Sequence, residues 1–137
     1  MRQTLSKILS LRISLILKFL LVLFLIWSLP ARAGEVEEFI TPTKDSSPAD
    51  LAFDRHGNLW FTELHANKIG KLVPSRAKPD TSEGITDYDL PRPNSKPLFI
   101  LIAKNGMIWF TEMGGNAIGQ LDPHSEEIRE FPIPTPD

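Results

Sequence analysis

Glu63 and Glu112 are the residues whose type and placement most invite chemistry. Each closes a Trp-Phe-Thr-Glu tetrapeptide, and the two tetrapeptides stand 49 residues apart. A carboxylate repeated in this way is expected to cap a strand end or pair with a nearby Lys or Asn. His56, His65 and His124 fall in turns or loops between apolar segments, where exposed side chains rather than catalytic ones are expected. No Gly-x-Ser-x-Gly elbow, phosphate-binding loop or His-Glu-x-x-His motif is present. With no cysteine in the chain, disulfides and cysteine-based zinc sites are excluded.

The elements that must position these groups are repeats. Pro48 to Pro74 aligns without a gap on Pro97 to Pro123, with 11 of 27 positions identical. The shared residues include Gly57/Gly106, Trp60/Trp109, Phe61/Phe110, Asn67/Asn116 and Gly70/Gly119. A Tyr/Phe-x-Leu/Ile-Pro ending follows in each copy, at Tyr88-Asp89-Leu90-Pro91 and Phe131-Pro132-Ile133-Pro134. Val36 to Pro42 resembles these endings and is expected to form an outer strand over residues 36–40. A polar insertion, Ser75 to Glu83, lengthens the first copy and reads as a surface loop.

Each copy divides into four short strands. In the first copy they are Leu51 to Phe53, Leu59 to Glu63, Lys68 to Leu72 and Ile85 to Leu90, separated by Gly-, Asn- and Pro-containing turns. Alternation places Leu59, Phe61 and Glu63 on one face, Trp60 and Thr62 on the other. No segment after residue 33 has a 3.6-residue apolar period. Four short strands per repeat are the pattern of a β-propeller blade, which buries its faces by stacking on neighbouring blades. Trp60, Phe61, Trp109 and Phe110 supply the stacking area. Gly70 and Gly119, in mid-strand, require something packed closely over them, and a Trp from the adjacent blade is the expected occupant.

The fold expected is therefore all-β: two four-stranded antiparallel propeller blades, at residues 48–91 and 97–134, within a partial propeller over 34–137. Complete propellers have about 4–8 blades. With two encoded, the chain reads as the first portion of a longer ring, to be completed by further blades or by self-association.

Residues 1–33 have another character. They carry five of the 15 Lys and Arg and none of the 17 Asp and Glu. An apolar run from Phe19 to Leu29 precedes Ala31-Arg32-Ala33, the pattern of a secretory signal peptide cleaved after Ala33. A retained anchor is the alternative, but Arg12 and Lys18 interrupt a stretch that would need about 20 apolar residues to span a bilayer. Export to the periplasm or medium is expected, with no membrane association after cleavage. The remaining 104 residues would carry a net charge of −7, which gives no basic footprint for nucleic acid.

Gly57-Asn58-Leu59-Trp60-Phe61-Thr62-Glu63 with Asn67-Lys68-Ile69-Gly70-Lys71-Leu72 resembles the blade of the streptogramin B lyase (virginiamycin B lyase) family. Gly106 to Glu112 with Asn116 to Leu121 repeats the likeness. The resemblance implies a seven-bladed propeller that opens streptogramin B antibiotics by elimination across the ester bond. It also implies a Mg²⁺ ion near the axis that stabilises the enolate-like charge, and a His as general acid/base. In that pattern the His follows the Pro that opens a late blade, and metal-binding Glu residues lie before that Pro and at the Trp-Phe-x-x-Glu strand end. Here Ala49 and Leu98 follow the prolines, Ser47 and Lys96 precede them, and only Glu63 and Glu112 match by residue type. The resemblance thus assigns no catalytic residue in this chain and no cofactor beyond the family's Mg²⁺, with Glu63 and Glu112 as the metal-ligand candidates. Whether the chain is an enzyme stays open at this stage. The readings it allows are a lyase-like portion inactive without further blades, and an exported module that binds a small molecule or peptide without chemistry.

Overall fold

The computed structural model describes residues 36–134, so the expected signal segment and its cleavage at Ala33 lie outside the described residues. Eight strands form two antiparallel sheets. The first sheet is β1 (Pro48–Phe53), β2 (Leu59–Glu63), β3 (Lys68–Leu72) and β4 (Ile85–Asp89). The second is β5 (Pro97–Ile102), β6 (Ile108–Glu112), β7 (Ala117–Leu121) and β8 (Ile128–Pro132). Each is a simple meander in which strands consecutive in sequence pair in space. No helix occurs among the described residues.

The two sheets are copies in register as well as in sequence. Phe61 faces Gly70 across β2 and β3, and Phe110 faces Gly119 across β6 and β7. Both first strands slip register in the same place, between Pro48 and Leu51 and between Pro97 and Ile100. A blade-opening proline without an N–H is compatible with such an irregularity at an edge strand. The β1–β2 turn is held by Asp54, whose carboxylate accepts from the backbone N–H of His56 and Asn58, the Asn58 amide and the Trp60 indole. Gly57 and Gly106 take left-handed conformations in the matching turns, with φ of 80° and 88°.

The close partner of the mid-strand glycines is not the one expected. A Cβ on Gly70 would overlap the ring of Phe61, and one on Gly119 the ring of Phe110. Residues directly opposite on paired strands share a face, so the ring lies down on its own cross-strand neighbour and needs no Trp from another blade. The glycine is what lets the Phe lie flat.

The Trp60 face of the first blade instead makes the junction, against the Phe110 face of the second. Trp60 and Ile69 of the first blade pack with Ile100, Ile108, Phe110 and Leu121 of the second in one core, with Tyr88 stacked on Trp60. Two hydrogen bonds fix the junction: Thr62 Oγ1 donates to the Leu98 carbonyl at 3.0 Å, and Ile100 N–H donates to Asp50 Oδ2 at 2.9 Å.

Residues 36–40 do not form the expected outer strand. Ile40 N–H donates to the Thr81 carbonyl and Asp80 N–H to the Glu38 carbonyl, so this segment is tied to the polar insertion. The insertion supplies the backbone partners that a sheet edge would otherwise have supplied.

Candidate functional site

Glu63 and Glu112 end β2 and β6 at the same end of each blade, beneath the segments that lead into β1 and β5. Both are fully buried, at 0% and 1% exposure. A carboxylate is costly to bury unless something donates to it, so its neighbours decide what it can do. Each blade adds a second acid from its outer strand: Asp87 pairs across from Gly70, and Glu130 across from Gly119. Each also adds a buried serine from the leading segment, Ser46 and Ser95.

In the second blade this pair is neutralised. Arg92 donates from Nη2 to Glu112 Oε2 at 3.1 Å and from Nε to Glu130 Oε2 at 2.7 Å. Its Nη1 adds a bond to the Gly115 carbonyl at 3.2 Å, which fixes the guanidinium plane. In the first blade the residue at the position of Arg92 is Thr43, whose hydroxyl donates to Asp87 Oδ2 at 2.9 Å. The Ser46 hydroxyl lies within bonding reach of Glu63, yet it donates to Thr41 Oγ1 at 3.0 Å. With that proton so committed, both Glu63 oxygens and Asp87 Oδ1 are buried without a donor. Lys68, on the adjacent strand, is engaged with the exposed Asp89 at 3.1 Å.

Burial pushes the Glu63 carboxyl above its ordinary range, and Asp87 adds to the push, against an opposing contribution from Lys68. Burial likewise raises Glu112, with Glu130 adding to it, while Ser95 and Arg92 oppose. Burial thus disfavours the charged form of Glu63, which has no donor, whereas the charge of Glu112 is held by Arg92.

Neither group fits a Mg²⁺ ion, which demands about six oxygens in near-octahedral array. Glu112 is engaged by Arg92, Glu63 has a single carboxylate neighbour, and no three His, Cys, Asp or Glu side chains are grouped to hold a metal among the described residues.

The histidines are exposed, as expected. His65 meets Ser47 Oγ through Nδ1 at 2.9 Å. His56 and His124 line one cleft of about 300 Å³ with Asp54, Arg55, Lys71 and Lys104. Ala49 and Leu98 hold the places after the blade-opening prolines. Sequence reasoning missed Arg92, Asp87, Glu130, Ser46 and Ser95. The two serines could have been found, since each stands two residues before its proline.

Solved structures with the same blades carry lyase names. The chain is similar to virginiamycin B lyase from Staphylococcus aureus, with 36% identity and a TM-score of 0.67 over 77% of this chain and 33% of that one. A streptogramin B lyase structure matches at 34% identity and a TM-score of 0.62, covering 71% of this chain and 30% of that one. A catalytically inactive variant of the Staphylococcus aureus enzyme with quinupristin matches at 39% identity and a TM-score of 0.60, over 69% and 30% of the two chains. The chain therefore spans about a third of the length of these structures. No curated protein sequence matches it. Residues 31–137 match the virginiamycin B lyase family, to which this chain therefore belongs.

Proposed function

We propose that this chain supplies two blades of an exported streptogramin lyase-like propeller and does not catalyse elimination by itself. The observation that carries the reading is the state of its two repeat carboxylates. Glu112 is locked in an ion pair with Arg92, and Glu63 is sealed beside one other acid. Elimination across an ester needs a base within reach of the proton beside the carbonyl and stabilisation of the charge that develops. The positions where the family pattern places its acid/base hold Ala49 and Leu98, which can move no proton. Those parts of the chemistry belong to blades beyond the two described. The basic, acid-free residues 1–33 and the Ala31-Arg32-Ala33 end support export.

The test is incubation of the chain with quinupristin and Mg²⁺, followed by mass spectrometry and chromatography for the linear product. No ring opening is expected. Any ring opening that depends on this chain would overturn the assignment of catalysis to other blades, and its loss in Glu63→Gln with Glu112→Gln would place it on these carboxylates.

A second reading is binding without chemistry, and one feature favours it. The cleft that holds His56 and His124 brings Arg55, Lys71 and Lys104 around a single acid, Asp54. Retention of an anionic small molecule by the chain, lost in Lys104→Ala, would support this role. Unchanged retention in that variant would remove it.

A further inference from the structure

One cleft gathers positive charge on a chain that is net acidic after residue 33. β2 and β6 start beside this cleft and end at Glu63 and Glu112, so it lies at the opposite end of the blades from the acids. Its volume of about 300 Å³ is at the lower end for small-molecule sites. The β1–β2 turn and Lys71 of β3 form one wall, and the β5–β6 and β7–β8 turns form the other. Both walls belong to the two blades described, so the cleft needs no further blade to form it.

Arg55, Lys71 and Lys104 bring three permanent positive charges from three separate segments. None of them is ion-paired among the described residues, whereas Lys68, Lys78, Arg92 and Arg129 are. Lys71 Nζ stands 4.8 Å from the centroid of the Trp60 ring, which steadies its head without neutralising it. Arg55 Nε donates to His56 Nε2 at 3.2 Å, which leaves both Arg55 Nη groups without a partner among the described residues. The acid in the lining, Asp54, is already taken up by donors from His56, Asn58 and Trp60.

The repeat does not account for this charge. At the positions of His56, Lys71 and His124 the other copy has Asn105, Gln120 and Ser75. The turns that carry it are fixed, since Gly57 and Gly106 N–H donate back to the Asp54 and Ala103 carbonyls at 3.0 and 2.8 Å. Like charges held on fixed loops repel one another, and a cleft lined by one sign focuses its field on an anion.

Three cations match more than one negative charge. A phosphomonoester carries about 1.5 to 2 near neutral pH, with three acceptor oxygens for donors arriving from different directions. A carboxylate carries one. Phe53, which is 64% exposed, and Ile102 add an apolar wall beside the cations. We propose that the cleft binds the phosphomonoester group of a small molecule with an apolar body. The phosphoryl oxygens take Arg55, Lys71 and Lys104 as donors, and the body lies on Phe53 and Ile102. This inference rests on the non-catalytic reading of the cleft, to which it gives a ligand class, and is independent of the lyase reading.

The experiment is isothermal titration calorimetry of the full chain with phenyl phosphate, inorganic phosphate and benzoate in turn. Phenyl phosphate is expected to bind about tenfold tighter than either of the others, and to weaken as salt is raised. Lys71→Gln and Lys104→Gln should each loosen it about tenfold, the loss of one charge-assisted hydrogen bond. Gln120 shows that a blade accepts Gln at the position of Lys71, and Lys104 is exposed in a turn. Should Lys71→Gln lose its near-ultraviolet circular dichroism, Lys104→Gln must give the loss by itself. Arg76→Gln removes the same charge from an exposed residue outside the cleft and should change nothing. Phenyl phosphate bound no tighter than inorganic phosphate, an equal loss in Arg76→Gln, or unchanged binding in the folded lysine variants overturns the proposal. The two readings fail differently. Benzoate held as tightly as phenyl phosphate removes the phosphoryl class and leaves an anion-binding cleft, whereas a chain that holds none of the three anions loses both.

Discussion

The two blades share strand order, register and most of their buried aromatic residues, yet they are held together differently. Trp60 is sealed under the second blade, and its indole N–H donates to Asp54 at 3.1 Å. Trp109 is only half-buried, and Ala103 occupies the position of Asp54. At the other end the balance reverses, because the second blade neutralises its buried acids with Arg92 while the first has Thr43. A repeat therefore conserves a scaffold and lets each copy settle its polar groups with whatever its neighbours supply. The stability of one copy cannot be read from the other.

The largest contrast is expected between the two tryptophans. Trp60→Ala should cost about 3–5 kcal/mol, as a large core ring is lost. Trp109→Ala should cost about 1 kcal/mol, typical of a partly exposed site. Urea denaturation of both variants checks the contrast, and equal losses would break it.

Asp54→Ala comes next. Burial alone would raise this carboxyl, but bonds from Asn58, Trp60 and the backbone hold it down at about 2. Removing it strands the buried indole donor, at about 1–3 kcal/mol. Its stabilisation is present above the ordinary value of 3.8 and lost as pH falls through about 2. An acid titration followed by circular dichroism should show that loss in the unmodified chain and not in Asp54→Ala.

Glu63 works in the opposite sense. A folded pKa raised above the ordinary 4.5 stabilises the folded state at low pH, and that stability drains away as pH climbs from 4.5 through the raised value. One proton limits the slope to about 1.4 kcal/mol per pH unit. Melting temperature measured across this window should fall in the unmodified chain and flatten in Glu63→Gln.

The finest test moves the charge. Arg92→Ala should push Glu112 further up and steepen the same pH dependence, whereas Thr43→Arg should weaken the contribution of Glu63. Unchanged profiles in both variants would mean that the guanidinium is not what separates the blades.

Much of this was legible in the residues. The spacing of Trp60 and Trp109, the glycine turns and the proline stops located all eight strands to within a few positions, because short strands between turn residues leave little room for error. The aromatic partner of Gly70 was missed because cross-strand register is invisible until strands are paired. Arg92 was missed because the sequence offers Thr43 at the equivalent place, so the repeat itself argued against a shared role. The failure of residues 36–40 to form a strand has a similar origin: whether a segment pairs depends on which backbone stands beside it, and here the insertion does.

The leading segments carry a further consequence. Asp45 and Ser47 in one, and Asn94 and Lys96 in the other, take left-handed backbone at the same two places, with φ between 52° and 58°. The carbonyls of Ser46 and Ser95 then accept from the loops after Glu63 and Glu112. Such conformations are unfavourable for residues other than glycine and persist where the surroundings dictate them. The chain thus passes from the first blade to the second through a bent bracket of seven residues, Pro91 to Pro97, and the segment Pro42 to Pro48 repeats that bracket. A ring built from such brackets sets its own circumference one joint at a time, and straightening a single joint would open it.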